Sequence, residues 1–261
     1  MKRVLSLVLN ECTHDSRVIK SAKSLMEEGY DVSIIALFAP GLAKKETLDG
    51  ITVHRVQLRT KKLPSYRIIQ LIKYLELIVR VLIEYRNRVD YVHCNDLNTL
   101  PIGTFLKVLS KRLVYVIYDA HEYETEKNGI SGLYKKFMRL SEKLFLPHCD
   151  SIITVSDTIA NEYTRLYDIK KPWVVLNCPH FATGLKGNLF REKFGLLDNQ
   201  KIFLYQGSLN PGRGVELILE SFSSFTTDKF VIIFMGYGSL TSIISEHASK
   251  NILYHEAVSP N

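Results

Sequence analysis

Residues 206–216 read Gln-Gly-Ser-Leu-Asn-Pro-Gly-Arg-Gly-Val-Glu, between a short apolar run (202–205) and a stretch whose apolar residues recur at helical spacing (215–225). Strand, glycine-rich turn and helix in that order make a seat for an anion. Glycine lets backbone N–H groups approach a ligand, and a helix N-terminus carries partial positive charge. Arg213 adds a permanent planar cation with a fork of donors. Gly207, Ser208, Arg213 and Gly214 are therefore expected to hold a diphosphate. The same residues also suit a tight strand-to-helix turn with a surface arginine. A second group, Asp119-Ala120-His121-Glu122, closes the strongly apolar run 113–118. In open α/β sheets ligands bind beyond the carboxyl ends of the strands. His14, Asp15 and Arg17 follow the first apolar run, and Asn95 and Asp96 follow another at 91–94. Asp15 and Asp96 equally suit helix caps. Gly236-Tyr237-Gly238, after the run 230–235, suits either a nucleotide pocket or a simple turn. His93 and Asp96 lie close together without a third convergent ligand, so no metal site is expected.

These groups need a scaffold of alternating strands and helices. Strands are predicted at 4–9, 31–37, 51–58, 91–94, 113–118, 151–155 and 173–176. Helices are predicted at 16–28, 65–86, 97–111, 133–145 and 157–167, with 39–47 as a loop. Strand–helix–strand units imply a parallel sheet with right-handed crossovers. Residues 179–188 show no periodicity and read as a linker. A fresh α/β run then begins, with strands at 202–205, 230–235 and 252–254 and helices at 215–225 and 240–250. Two domains result, 1–180 and 181–261. The second holds about three strands, and an open sheet that stops mid-pattern leaves an edge and an uncovered face. The expectation is a fragment, or a product that lost its C-terminal end.

The composition is that of a soluble globular protein, 46% hydrophobic and 23% charged over 261 residues. The net charge of +7 favours anionic partners without choosing among them. The basic residues are dispersed, with no aromatic–basic ladder, which argues against nucleic acid. Cys12, Cys94, Cys149 and Cys178 sit in or beside apolar runs and form no CxxC pair, which implies reduced thiols and a cytoplasmic protein. The N-terminal apolar run is too short for a signal peptide. The helix at 65–86 carries Lys73, Glu76, Arg80 and Glu84 along one narrow stripe, too many charges for a membrane span. Its remaining apolar surface suits a sheet or a membrane surface, and Arg59, Lys61, Lys62 and Arg67 upstream suit either a solvated loop or anionic lipid.

In combination the motifs resemble the retaining GT-B glycosyltransferases of family 4. The resemblance rests on His14-Asp15-Ser16-Arg17-Val18 with Gly29-Tyr30-Asp31-Val32, and on Asp90-Tyr91-Val92-His93 with Asp96-Leu97. It continues through Asp119-Ala120-His121-Glu122, Ile153-Thr154-Val155-Ser156, Leu176-Asn177-Cys178-Pro179 and the turn from Gln206 to Gly214. It covers nearly the whole chain and implies an α/β fold of two Rossmann-like doubly wound domains, the second incomplete. It further implies transfer of a sugar from a nucleotide-sugar donor, with retention, to a glycan or lipid-linked saccharide, as in surface polysaccharide biosynthesis. No metal or other cofactor is implied.

By the same resemblance His121 faces the interdomain cleft and hydrogen-bonds the donor sugar near the reacting carbon. Arg213 neutralises the leaving diphosphate, Gly236 and Tyr237 line the nucleotide pocket, and His14, Asp15, Arg17, Asn95 and Asp96 face the acceptor. The chain departs from the family at Ser208, where many relatives carry a basic residue, and at Arg213, where lysine is commoner. The family's glutamate pair, spaced by seven, would fall beyond Asn261. Localisation follows as cytoplasmic, with peripheral contact at the inner membrane face. Two alternatives are a nucleotide-sugar 2-epimerase of the same fold and a truncated, non-catalytic protein that docks on a partner or membrane.

Overall fold

The computed structural model describes residues 1–13, 15–121, 132–178 and 187–258. The chain forms two compact units, Met1–Pro179 and His180–Asn261. Both are α/β and Rossmann-like.

The first unit is built on a sheet of β1 (Arg3–Leu7), β2 (Asp31–Leu37), β3 (Lys45–Leu48), β4 (Ile51–Val56), β5 (Tyr91–Cys94), β6 (Tyr115–Ala120), β7 (Ser151–Thr154) and β8 (Trp173–Val174). Their order is β3-β4-β2-β1-β5-β6-β7-β8, parallel except where β3 runs antiparallel to β4. The chain winds outward from β1 through β2 and β4, then returns to place β5 on the other side of β1. That reversal is the switch point at which open sheets of this kind bind ligands.

Alternation along β1 sends its two faces to different cores. Val4 and Val8 pack with Val18 and Ala22 of α1 (Ser16–Glu27), while Leu5 and Leu7 face Leu77, Ile78 and Val81 of α2 (Arg67–Tyr85). The helix predicted from 97 to 111 is a short 3-10 turn, Leu97–Thr99, followed by α3 (Leu100–Leu109). Then come α4 (Gly132–Phe145) and α5 (Asp157–Tyr167), the latter as predicted.

The sequence reading made 39–47 a loop, but 45–48 form β3. Asp49 and Gly50 both have positive φ, 50° and 86°, and they join β3 to β4 as a two-residue hairpin turn. An Asp-Gly pair between strand-forming residues favours that turn because its backbone twist matches the strands. Arg55, 1% exposed, fastens the hairpin: its side chain donates to the Glu11 and Ala43 carbonyls and pairs with Glu46 at 2.6 Å.

The second unit has α6 (Leu189–Phe194), β9 (Lys201–Ser208), α7 (Val215–Ser223), β10 (Phe230–Tyr237), α8 (Thr241–Glu246) and β11 (Ile252–Glu256). Among the described residues its parallel sheet has three strands, in the order β11-β10-β9. Gln206, Gly207 and Ser208, read from sequence as part of the turn, belong to β9. Pairing with β10 continues to Tyr237↔Ser208. It can do so because Gly236 lies against Gly207: a Cβ there would sit 1.8 Å from the Gly207 carbonyl oxygen. α8 is shorter than the predicted 240–250, because Ser249 pairs back to Ile252 and turns the chain.

Candidate functional site

In the first unit, the segment after β1 and the end of β6 enclose a cavity of about 430 Å³. Asn10, Cys12, Asp15, Arg17, His121 and Asn177 line it. The sheet brings these residues together because β1 and β6 both direct their carboxyl ends to this edge. His121 follows directly on β6, and its buried Nδ1 has no hydrogen-bond partner among the described residues.

Asp15 caps α1, accepting from the Val18 N–H at 3.3 Å, and its other oxygen accepts from Asn10 Nδ2 at 2.8 Å. Arg17 crosses to Asp119 and binds it in a fork, Nη2 at 2.6 Å and Nε at 3.1 Å. The Asp119 side chain is fully buried, and His93 Nε2 stands 3.6 Å from it. Burial alone would raise this carboxyl, but the neighbouring His93 and Arg17 outweigh it and hold the group below its ordinary value. Arg17 thus lines the cavity with its charge largely neutralised.

Two of the residues expected on the acceptor side stand elsewhere. Asn95 is 2% exposed, and its amide donates to Ser6 Oγ at 2.9 Å and the Leu7 carbonyl at 3.0 Å, which ties β5 to β1. Asp96 caps the 3-10 turn in a reciprocal box with Thr99. Neither lines the cavity. His14 and Glu122 lie outside the described residues. Asn10, Cys12 and Asn177 were not singled out as site residues from sequence. Asn177 was legible only as part of the Leu-Asn-Cys-Pro run. It is held by Lys20, which reaches its side-chain oxygen at 2.8 Å.

In the second unit, Gln206, Gly207, Ser208, Gly236 and Tyr237 line a cavity of about 230 Å³ with Met235, Ala257 and Val258. The turn from Leu209 to Gly214 is anchored by the fully buried Leu209 and by Asn210. The Asn210 amide donates to Ser208 Oγ at 2.6 Å, and its oxygen accepts from the Ser239 N–H at 2.9 Å. Gly214 has φ +77°, and no side chain caps α7 behind it. Among the described residues the first N–H groups of that helix therefore have no intrahelical or capping partners. Arg213 is exposed on the same turn and is not part of the cavity wall. Gly236 and Gly238 are explained by packing: a Cβ at 238 would stand 2.3 Å from the Leu209 carbonyl oxygen. Among the described residues no group of His, Cys, Asp and Glu is placed to hold a metal ion, and no helix is long and apolar enough to cross a membrane.

Comparison with known proteins gives these sites a family. The chain is 25% identical over 211 residues to an uncharacterized glycosyltransferase of Methanocaldococcus jannaschii, an alignment covering 77% of this chain and 52% of that protein. It thus spans about half the length of this curated relative. Among solved structures it is similar to sucrose-phosphate synthase of Thermosynechococcus elongatus, with TM-score 0.73 and 13% identity over 99% of this chain and 71% of that one. It is also similar to Anabaena HepE in complex with UDP-glucose, with TM-score 0.65 and 12% identity over 99% of this chain and 70% of that one. At these identities the likeness is one of fold, that of the GT-B glycosyltransferases. The sequence profile of glycosyltransferase family 4 matches residues 16–179, from the first residue of α1 to the end of the first unit, and the chain belongs to that family.

Proposed function

We propose that the chain provides the acceptor-side unit and part of the donor-side unit of a retaining glycosyltransferase. It moves a sugar from a nucleotide-sugar to a glycan or lipid-linked saccharide, in surface polysaccharide biosynthesis at the cytoplasmic face of a membrane. The observation that carries this reading is His121: a histidine at a strand's carboxyl end, lining a polar cavity, with a buried ring nitrogen that no group among the described residues uses. Such a group suits a hydrogen bond to a sugar hydroxyl. HepE, of like fold, is solved with UDP-glucose, which supports a nucleotide-sugar donor.

The chemistry asked of the residues is modest. The bond between the anomeric carbon and the leaving diphosphate breaks, and a bond from the acceptor hydroxyl forms on the same face. The acceptor proton passes to the departing phosphate oxygen, so no strong protein base is required. Charge grows on the diphosphate as this happens. Arg213 and the unpaired N–H groups of α7 meet that charge with fixed donors, which lowers the barrier. The reading uses no metal ion, so a chelator leaves turnover unchanged. Its direct test is thermal melting of the 261-residue chain with UDP, GDP, ADP and CDP. Binding to the native state raises Tm by mass action. One nucleotide is expected to give a shift, and Arg213→Ala to remove the shift without lowering the Tm of the free protein. An equal shift in the variant sinks the role given to Arg213.

A further inference from the structure

Beyond the carboxyl ends of β1, β2 and β4 lies a third cavity, of about 340 Å³. Its wall is apolar: Leu9, Leu37, Phe38, Val56 and Leu58 come from the strand ends and Leu77 from α2. Val56 and Leu77 are buried in the core on the α2 face of the sheet, and Leu9, Leu37 and Leu58 pack against that core. The core thus continues to the ligand-binding edge of the sheet and ends there in open space. That space has the size of a small-molecule pocket.

The polar groups on the rim are already engaged. The Tyr74 hydroxyl donates to the Asn98 carbonyl at 2.7 Å, Lys73 donates to the Leu63 carbonyl at 2.8 Å, and Lys61 donates to the Phe38 carbonyl. None of the buried polar atoms left without a partner among the described residues lines this cavity. Water is held in a cavity only where polar groups meet it, so an apolar wall of this kind favours hydrocarbon. The cavity also adjoins the His121 site. Leu9 lines the one and Asn10, the next residue, lines the other. The Asn10 carbonyl accepts from the Leu37 N–H at 2.8 Å, which fixes the dividing segment to the end of β2.

We infer that this cavity seats a hydrocarbon group of the acceptor, an alkyl or acyl chain whose attached sugar presents its hydroxyl beside His121. The role as acceptor rests on the transferase reading above and deepens it. Of the two acceptor classes named there, the cavity selects the one with an apolar tail and places that tail inside the first unit. Burial of the tail supplies affinity, and the polar cavity next to it orients the sugar.

The test is calorimetric titration of the whole chain with n-alkyl β-D-glucosides, hexyl to decyl, each below its micelle concentration. Affinity is expected to rise about fourfold per methylene and to level off once the cavity is full. Leu58→Trp fills the space and is expected to flatten the series. Leu58→Ala enlarges it and is expected to move the levelling point to a longer chain. Val79→Glu, at a position 52% exposed on α2 and outside the cavity, is expected to change nothing. A series independent of chain length overturns the inference. So does a length dependence that both Leu58 variants leave intact, or one that Val79→Glu abolishes, since the chain would then bind elsewhere. No nucleotide is present in this titration. A flat series therefore sinks the tail site and leaves the nucleotide-induced Tm shift in place, whereas a missing Tm shift sinks the donor reading and leaves the series unchanged.

Discussion

Asp119 and His121 are two residues apart and do opposite work. Asp119 is buried and held by Arg17, with His93 3.6 Å away, while His121 lines a cavity and has a buried ring nitrogen without a partner among the described residues. Removing one partner of a buried ion pair leaves an uncompensated charge, at a cost of about 3–5 kcal/mol. Arg17 keeps some solvent contact, so Arg17→Ala is expected near about 3 kcal/mol, read from urea midpoints at constant m-value. The pH dependence has a definite sign. The Asp119 carboxyl is depressed in the folded state, so it contributes stability above the ordinary carboxylate value of about 4 and loses it as pH falls through the depressed one. Without Arg17 the acid limb of the Tm–pH curve should move to higher pH. His121→Ala should behave in the opposite way: stability within about 0.5 kcal/mol of the parent, and transfer down about 100-fold. A variant that melts early yet transfers normally would make His121 structural. Sequence placed both residues at a strand end because the apolar run before them is unambiguous. It did not reveal the pairing of Arg17 with Asp119, because that contact spans 102 residues and exists only once β1 and β6 lie in one sheet.

At the scale of elements, α4, α5 and β6 are joined by one buried carboxylate. Glu142, fully buried, accepts from the phenols of Tyr118 at 2.7 Å and Tyr163 at 2.5 Å, and also from Tyr167. Burial first, then the neighbouring Tyr163 phenol and the Glu142 carboxylate, push the Tyr118 phenol far above its ordinary range. Glu142→Ala deprives three hydroxyls of their acceptor and opens a void, so a loss of about 3–5 kcal/mol is expected. Tyr167→Phe, which removes one donor at the edge of the cluster, should cost about 1–2 kcal/mol. Equal costs for the two would show that the carboxylate is not the hub. None of this was legible, since a glutamate in an amphipathic helix reads as solvent-facing until its partners are known. The β3–β4 hairpin, by contrast, was written in Asp49-Gly50 and was overlooked because β3 itself has only four residues. The other helices and strands were legible from apolar periodicity with ends moved by a few residues, except α6, which the sequence did not show. Among the strands the end moved most at β9, where glycine permits close approach at Gly207 and Gly236.

At the scale of the molecule, each unit has buried clusters of its own. Two cores lie in Met1–Pro179, one on each face of the large sheet, and a smaller one lies in the second unit around Leu209, Phe222 and Phe234. The second unit also leaves Phe203, Leu204 and Leu217 exposed. Stability scales with the apolar surface withdrawn from water, and small units bury the smaller fraction of theirs. Calorimetry of the whole chain should therefore resolve two transitions, the second unit melting first. Nucleotide that binds the turn before α7 stabilises only the unit it touches, so it should raise the lower transition and leave the upper one in place. Gly236→Ala, whose Cβ has no room against the Gly207 carbonyl, should lower that same transition and remove its response to nucleotide. Arg17→Ala should lower the upper transition alone. A single transition that both variants shift together would mean that the cores unfold as one cooperative body.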